Sequence, residues 1–247
     1  MSGTIHAKSA GPAYRLQGPT PHLLNLLCQL GEGTLVLKQQ GLSLAKTCSF
    51  GLCVADGRGG WNLLRDAISG LESDLQQAHH VYLLPDPDDF VPLLATARPG
   101  GEIDLSIRLE HQRWDSRLMR SIIEGFRGIP IEAREGRRLH AGAWLDDWHH
   151  TSPASTGIPW EILSALDACR CLEVEVCSGL HRATAAFRPA FLDSEGAVLR
   201  IADSQRKNVV FADAAAPGFR WMSLAPGHLK IRAEILPLAD QIALPAA

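Results

Sequence analysis

The chain has 247 residues, enough for one large domain or two of about 100–200 residues each, and enough to bury a core without disulfide or metal staples. Apolar residues make up 46% and charged residues 21%, which excludes a disordered chain, and the net charge of −3 gives no global pull towards nucleic acid. No window approaches the roughly 18 apolar residues of a membrane span. Residues 1–18 lack the apolar core of a signal peptide, and the six cysteines contain no CxxC pair and read as reduced thiols. A cytoplasmic protein is expected.

In chain order, residues 1–19 read as a loose arm. Thr20-Pro21 then starts a helix through His22–Leu30, with a hydroxyl cap and proline in the first turn. Thr34–Lys38 and Ser43–Val54 read as strands, and 57–60 as a glycine turn. Residues 61–78 carry Leu64, Ile68, Leu71 and Leu75 at helical spacing, which predicts a helix. His79–Leu84 reads as a strand. Asp86-Pro87-Asp88-Asp89 carries cap, proline and acids, which predicts a helix that ends at Arg98-Pro99-Gly100-Gly101.

Ile103, Leu105, Ile107 and Leu109 alternate as a half-buried strand does. Leu118, Met119, Ile122, Ile123 and Phe126 form one stripe of a helix over 115–127, closed by Gly128 and Pro130. Residues 151–158 read as a linker, and Pro159–Ala168 as a short helix. Strands are expected at 171–177, 183–192, 197–203, 208–213 and 228–236, with a hairpin turn at Asp193-Ser194-Glu195-Gly196. Helices mixed with strands, then a β-rich second half, predict an α+β fold with a mostly antiparallel sheet.

The sequence lacks the phosphate-loop, dinucleotide, zinc-protease and nucleophile-elbow motifs. In a strand, Cys169, Cys171, Glu173, Glu175 and Cys177 share one face, opposite an apolar Leu172, Val174 and Val176. Thiolates and carboxylates together suit a metal. Small polarizable side chains packed under a second layer explain the same pattern, and no metal is assigned. Residues 108–138 hold eight arginines and five acids, either a solvated helix face or a clamp for an anion. Aromatics at 6% argue against stacked nucleic-acid bases.

Several stretches occur in a particular order. Leu30-Gly31-Glu32 precedes a strand, and His80-Val81-Tyr82-Leu83 precedes Pro85-Asp86. Gly128-Ile129-Pro130-Ile131 with Gly136 leads to Arg138-Leu139-His140-Ala141-Gly142. Gly157-Ile158-Pro159-Trp160, Ala185-Ala186-Phe187-Arg188-Pro189, Leu192-Asp193-Ser194-Glu195-Gly196 and Arg220-Trp221 follow. Taken together over most of residues 30–224, they resemble the cytoplasmic haemin-degrading and haem-trafficking factors of bacteria.

The resemblance implies two related lobes of mostly antiparallel sheet with packed helices, at 20–100 and 101–236, followed by a tail at 237–247. It also implies haem seated between sheet and helices. The family's axial histidine lies in a T-D-x-H-x-F helix that is missing here. His111 is the nearest histidine in chain order, and His140 falls where the family has a strand near the cofactor. Arg113, Arg117, Arg138 and Arg188 are the expected partners of the propionates. Three functions are weighed: haem trafficking or degradation, a cofactor-free interaction or regulatory protein on the same fold, and RNA binding through 108–138. Haem is the expected ligand, a protein partner remains open, and no membrane role is expected.

Overall fold

A computed structural model of the protein describes residues 12–17, 32–39, 41–49, 54–56, 63–66, 70–74, 80–85, 92–97, 103–109, 116–143, 158–178, 181–214, 216 and 219–233. Within these the chain begins with β1 (Tyr14–Leu16), inside the segment expected to be a loose arm. A hairpin follows, β2 (Glu32–Gln39) and β3 (Leu42–Ser49). Its turn needs Gly41, which sits at φ +82° and where a side chain would collide with Ala216.

Three short strands come next: β4 (Val54–Asp56), β5 (Leu63–Asp66) and β6 (Leu71–Asp74). The helix expected over 61–78 is therefore corrected to a β5–β6 hairpin. Gly70, at φ +67°, lies so close to Thr184 that an added Cβ would come within 2.9 Å of its carbonyl oxygen. Pairing of β6 with a strand more than a hundred residues later overrides the local helical spacing.

The chain continues with β7 (His80–Pro85), β8 (Pro92–Ala97) and β9 (Ile103–Leu109). The helix expected after Asp86 is corrected at 92–97, where β8 pairs on both sides with β7 and β9. Its cap signal at 86–89 lies outside the described residues, as does the helix expected at 22–30.

Helix α1 (Ser116–Gly125) forms as its stripe predicts. It closes with Arg127 at φ +49° and the Gly128 amide on the Ile123 carbonyl at 2.7 Å. Then come β10 (Ile129–Pro130), α2 (Ala133–Ala143), α3 (Trp160–Asp167), β11 (Cys171–Cys177) and β12 (His181–Phe187). The strand expected over 183–192 is divided. Arg188-Pro189-Ala190 ends β12 and carries the chain across to the other sheet, where β13 (Phe191–Glu195) begins. The expected hairpin joins it to β14 (Val198–Ala202), with Gly196 at φ +62°. The chain closes with β15 (Asn208–Asp213), β16 (Phe219–Ala225), which sequence reading missed, and β17 (His228–Ala233).

The strands make two sheets. The first runs β10-β1-β7-β8-β9-β2-β3-β15-β14-β13 and the second β16-β17-β11-β12-β6-β5-β4. All neighbours are antiparallel except β11 and β17. The architecture is reciprocal. The hairpin β2–β3 lies inside the ten-stranded sheet and pairs with β15 of the meander β13–β15. The hairpin β11–β12 lies inside the seven-stranded sheet and pairs with β6 of the meander β4–β6.

The core lies between the sheets. Leu35, Leu37, Leu42 and Leu44 alternate inward from β2 and β3, and Leu172, Val174, Val176, Ala183 and Ala185 meet them from β11 and β12. At about 25 cal/mol per Å² of apolar surface, each fully buried leucine stabilises by roughly 2 kcal/mol. The protein thus has an α+β fold of mostly antiparallel sheet. No helix among the described residues is long and apolar enough to cross a membrane.

Candidate functional site

On β2, β3 and β9 the residues between the core leucines face away from the other sheet. Val36 stands in register with Ala45 on one side and Ser106 on the other, and Lys38 with Ser43. Val36, Ser43, Ala45 and Ser106 are small, buried side chains that share the outer face of the ten-stranded sheet as a floor. The Ser43 hydroxyl is fully buried and has no hydrogen-bond partner among the described residues. Thr34 and Thr47 share a hydroxyl hydrogen bond of 3.2 Å beside this floor.

Helix α2 packs on β7 and β9 of the same sheet. Leu139 enters a cluster of Ala13, Tyr82, Leu84, Ala97 and Ile103. Gly136 permits the approach, since a Cβ there would stand 3.1 Å from the Ala13 methyl. Burial pushes the Tyr82 phenol up, Glu135 adds to this, and Arg15 and Arg138 oppose it. Tyr82 therefore stays a protonated donor, with His80 edge-on at 6.2 Å.

Arg138 is exposed on α2. His140 also belongs to α2, which corrects the strand expected there. Ala, Arg, Glu and Leu are strong helix formers, and Leu139 supplies an apolar anchor. Arg117 is exposed on α1, and Arg188 is exposed where the chain leaves β12. The expected propionate partners thus stand on three different elements. His111 and Arg113 lie outside the described residues.

A second cluster lies between the sheets. A β-bulge in β9, where Thr96 pairs with Leu105 but Ala97 with Ile103, turns Asp104 towards the interior. The Thr96 hydroxyl donates to Asp104 Oδ1 at 2.8 Å and lies 2.9 Å from His181 Nε2, and the Leu105 amide donates to the same Asp104 oxygen at 2.9 Å. With its single proton on Asp104, the hydroxyl accepts from His181, so Nε2 carries a hydrogen. His181 Nε2 is 3.7 Å from Asp104 Oδ1, and both side chains are buried. The relay joins β12 of one sheet to β8 and β9 of the other.

The third cluster is on the outer face of the seven-stranded sheet. Leu172, Val174 and Val176 enter the core as their alternation predicts, and Glu173, Glu175 and Cys177 face outward. Glu175 meets Arg182 Nη2 at 2.8 Å, Lys230 Nζ at 2.9 Å and Arg232 Nε at 3.6 Å. Burial pushes its carboxyl up, but the Lys230 hydrogen bond and the charges of Arg182, Arg232 and Lys230 outweigh this and hold it below the usual carboxylate range. Burial and Glu175 together push the Cys177 thiol up, against Arg232 and Arg182. Among the described residues no three His, Cys, Asp or Glu side chains converge as metal ligands, and Cys169, Cys171 and Cys177 are free thiols.

Sequence reading missed His181, whose neighbours Thr96 and Asp104 are distant in the chain and carry no spacing signal. It also missed the cations around Glu175, which strand pairing brings from β12 and β17. The uninterrupted alternation of Leu229, Ile231 and Ala233 with Lys230 and Arg232 was the available signal for β17.

No family model and no curated protein matches the chain in sequence. Solved structures match its fold. Holo-PhuS, a haem-binding protein from Pseudomonas aeruginosa, gives a TM-score of 0.61 at 14% identity over 85% of this chain and 72% of that one. Apo-PhuS gives 0.55 at 9% identity, over 84% and 72%. ChuS, an Escherichia coli haem oxygenase, gives 0.56 at 11% identity over 83% of this chain and 72% of that one. At such identities the similarity is one of fold: these sheets and helices are arranged as in proteins that bind or break down haem.

Proposed function

We propose that the protein binds haem on the outer face of its ten-stranded sheet, for intracellular trafficking or degradation. The observation that carries the reading is the fold likeness to PhuS and ChuS over more than four-fifths of the chain. The residues fit a porphyrin. Val36, Ser43, Ala45 and Ser106 offer small side chains on that face, and the Ser43 hydroxyl, which has no partner among the described residues, offers a hydrogen bond. Tyr82 shares that face beneath Leu139 of α2, and Arg138 is exposed on the same helix. His140 or His111 would be the axial ligand, and Arg113, Arg117, Arg138 and Arg188 the propionate partners. Bound haem would supply any oxygen chemistry, with the protein orienting it. The reciprocal meanders support reading 20–100 and 101–236 as two related lobes, and the proposed place of action is the cytoplasm.

The test is a haemin titration of purified protein followed by absorbance, with His111→Ala and His140→Ala alongside. A saturable Soret band at one equivalent, lost in one variant, supports the reading and identifies the ligand. A spectrum equal to haemin in buffer sinks it. A cofactor-free interaction protein is then favoured, because the end strand β16 exposes Trp221, Met222 and Leu224.

A further inference from the structure

We propose that Cys169 and Cys171 form a redox site, a thiol pair that closes to a disulfide by exchange with a small-molecule disulfide. Cys171 is the attacking thiol and Cys169 the resolving one. His228 is the base, and Glu173 positions it. The site lies where α3 runs into β11, at one end of the seven-stranded sheet, and the proposal is independent of the haem reading.

A disulfide needs Cα atoms about 4.4–6.8 Å apart. Two residues of straight strand span about 6.6 Å, the upper end of that range. Here the chain is not straight. Helix α3 ends at Asp167, β11 begins at Cys171, and the backbone bends at Arg170, between the two cysteines. The bend is held from both sides. The Cys169 amide donates to the Leu166 carbonyl at 3.1 Å, and the amides of Arg170 and Cys171 both donate to the Gly227 carbonyl, at 2.8 and 3.1 Å. The Cys169 thiol reaches forward along the chain and donates to the Cys171 carbonyl at 3.1 Å. Its sulfur therefore already lies beside the residue it would bond.

The two thiols differ as the two roles require. Cys169 is buried. Burial pushes its thiol up, backbone hydrogen bonds at Leu229 and Cys171 oppose this, and the neighbouring Cys171 adds to it. Cys171 is only partly buried, so a disulfide in solution reaches it first. It opens the outward row of β11, because Leu172, Val174 and Val176 take the core side. His228 is its register partner on the parallel strand β17, and it too is outward because Leu229 is in the core. Such partners stand about 4.8 Å apart across the ladder. Two places along β11, Glu173 meets His228 Nε2 at 2.8 Å. With the Nε2 hydrogen given to the carboxylate, Nδ1 keeps the lone pair that accepts a thiol proton. The exchange runs in two steps. His228 takes the Cys171 proton, the thiolate attacks one sulfur of the entering disulfide, and the other sulfur leaves as a thiol with that proton. The Cys169 sulfur then attacks Cys171 Sγ, and the second half of the reagent leaves as a thiol with the Cys169 proton. Two protein thiols are oxidised to one disulfide, and one disulfide is reduced to two thiols.

The experiment equilibrates the full-length protein in glutathione buffers of graded disulfide-to-thiol ratio, quenches in acid and alkylates the remaining thiols. Cleavage after Glu161 and Glu173 keeps both cysteines in one peptide for mass spectrometry. As the ratio rises, that peptide is expected to lose two hydrogens and escape alkylation, and to regain both with dithiothreitol. Cys169→Ser is expected to trap Cys171 as its mixed disulfide with glutathione, whereas Cys171→Ser leaves Cys169 reduced. In the Cys169→Ser background, His228→Gln is expected to slow trapping on the order of tenfold or more at about pH 7, and to match its parent at about pH 10, where thiols ionise without a base. Far-ultraviolet circular dichroism and the melting temperature show that each variant is folded, and the wild-type map needs no variant. A peptide that stays reduced at every ratio, or glutathione carried by Cys169 rather than Cys171, overturns the proposal. Equal slowing by His228→Gln at both pH values overturns the role of His228 as base.

Discussion

Replacing Thr96 by valine tests the relay that joins the two sheets. Valine keeps the branched shape and removes only the hydroxyl. That hydroxyl donates to Asp104 at 2.8 Å and accepts from His181 at 2.9 Å, and all three residues are 3% exposed or less. The substitution therefore takes one partner from each of two buried groups at once. Each lost partner costs about 1–3 kcal/mol, with the carboxylate at the upper end, so Thr96→Val is expected to destabilise by about 2–5 kcal/mol. Urea unfolding at pH 7 should show a lowered midpoint with an unchanged slope. Adding His181→Leu should cost less in the Thr96→Val background than in the wild type, because the two act through one network. A change below about 1 kcal/mol in Thr96→Val, or strict additivity with His181→Leu, would refute the argument that the relay holds the sheets together.

Three further outcomes are expected. Gly70→Ala should destabilise by about 2–4 kcal/mol, since φ is +67° and the Thr184 carbonyl lies 2.9 Å from the new methyl; thermal unfolding within a degree of the wild type would contradict this. Glu175 has a folded-state pKa below its ordinary value of 4.5, so the stability it contributes is present above that value and lost as pH falls through the lower folded one. Glu175→Gln should therefore be about 1–3 kcal/mol less stable at pH 6, discounted for the exposure of its partners, and the gap should close on acidification; a gap unchanged down to pH 3 counts against it. Cys177, whose thiol is pushed up, should be alkylated by iodoacetamide at pH 8 more slowly than free cysteine, as read by peptide mass spectrometry, and a rate at or above free cysteine's would be inconsistent with its setting.

Where the signal was local, the fold was legible in the sequence. The stripe of Ile122 and Ile123, the alternation of Ile103 to Leu109, and the Asp193–Gly196 turn each report their element without help from distant residues. The failures come from pairing that spacing does not show. Residues 61–78 carry helical spacing, yet β6 is fixed by β12 far along the chain, and 92–97 follow a helix-start signal, yet β8 is fixed between β7 and β9. Residues 133–143 hide a helix behind two glycines, one of which exists to let Ala13 come close. The candidate sites followed the same rule. The outward row of Glu173, Glu175 and Cys177 was readable from period two, but its charge depends on Arg182 and Lys230, which only sheet pairing brings near. Tyr82, Ser43 and His181 become distinctive only through burial and neighbours, which spacing does not encode.

The reciprocal placing of the two meanders has a consequence for synthesis. Lys46 of β3 finds its register partner Asn208 only about 160 residues further along. At 5–20 residues per second, the hairpin β2–β3 must wait roughly 8–30 s on a ribosome with an open, apolar edge before β15 exists to cover it. The same holds in reverse for β6, made early and left without β12 until residue 187 has been added. During translation this protein is two unfinished sheets, each holding a place for strands the other half has still to deliver.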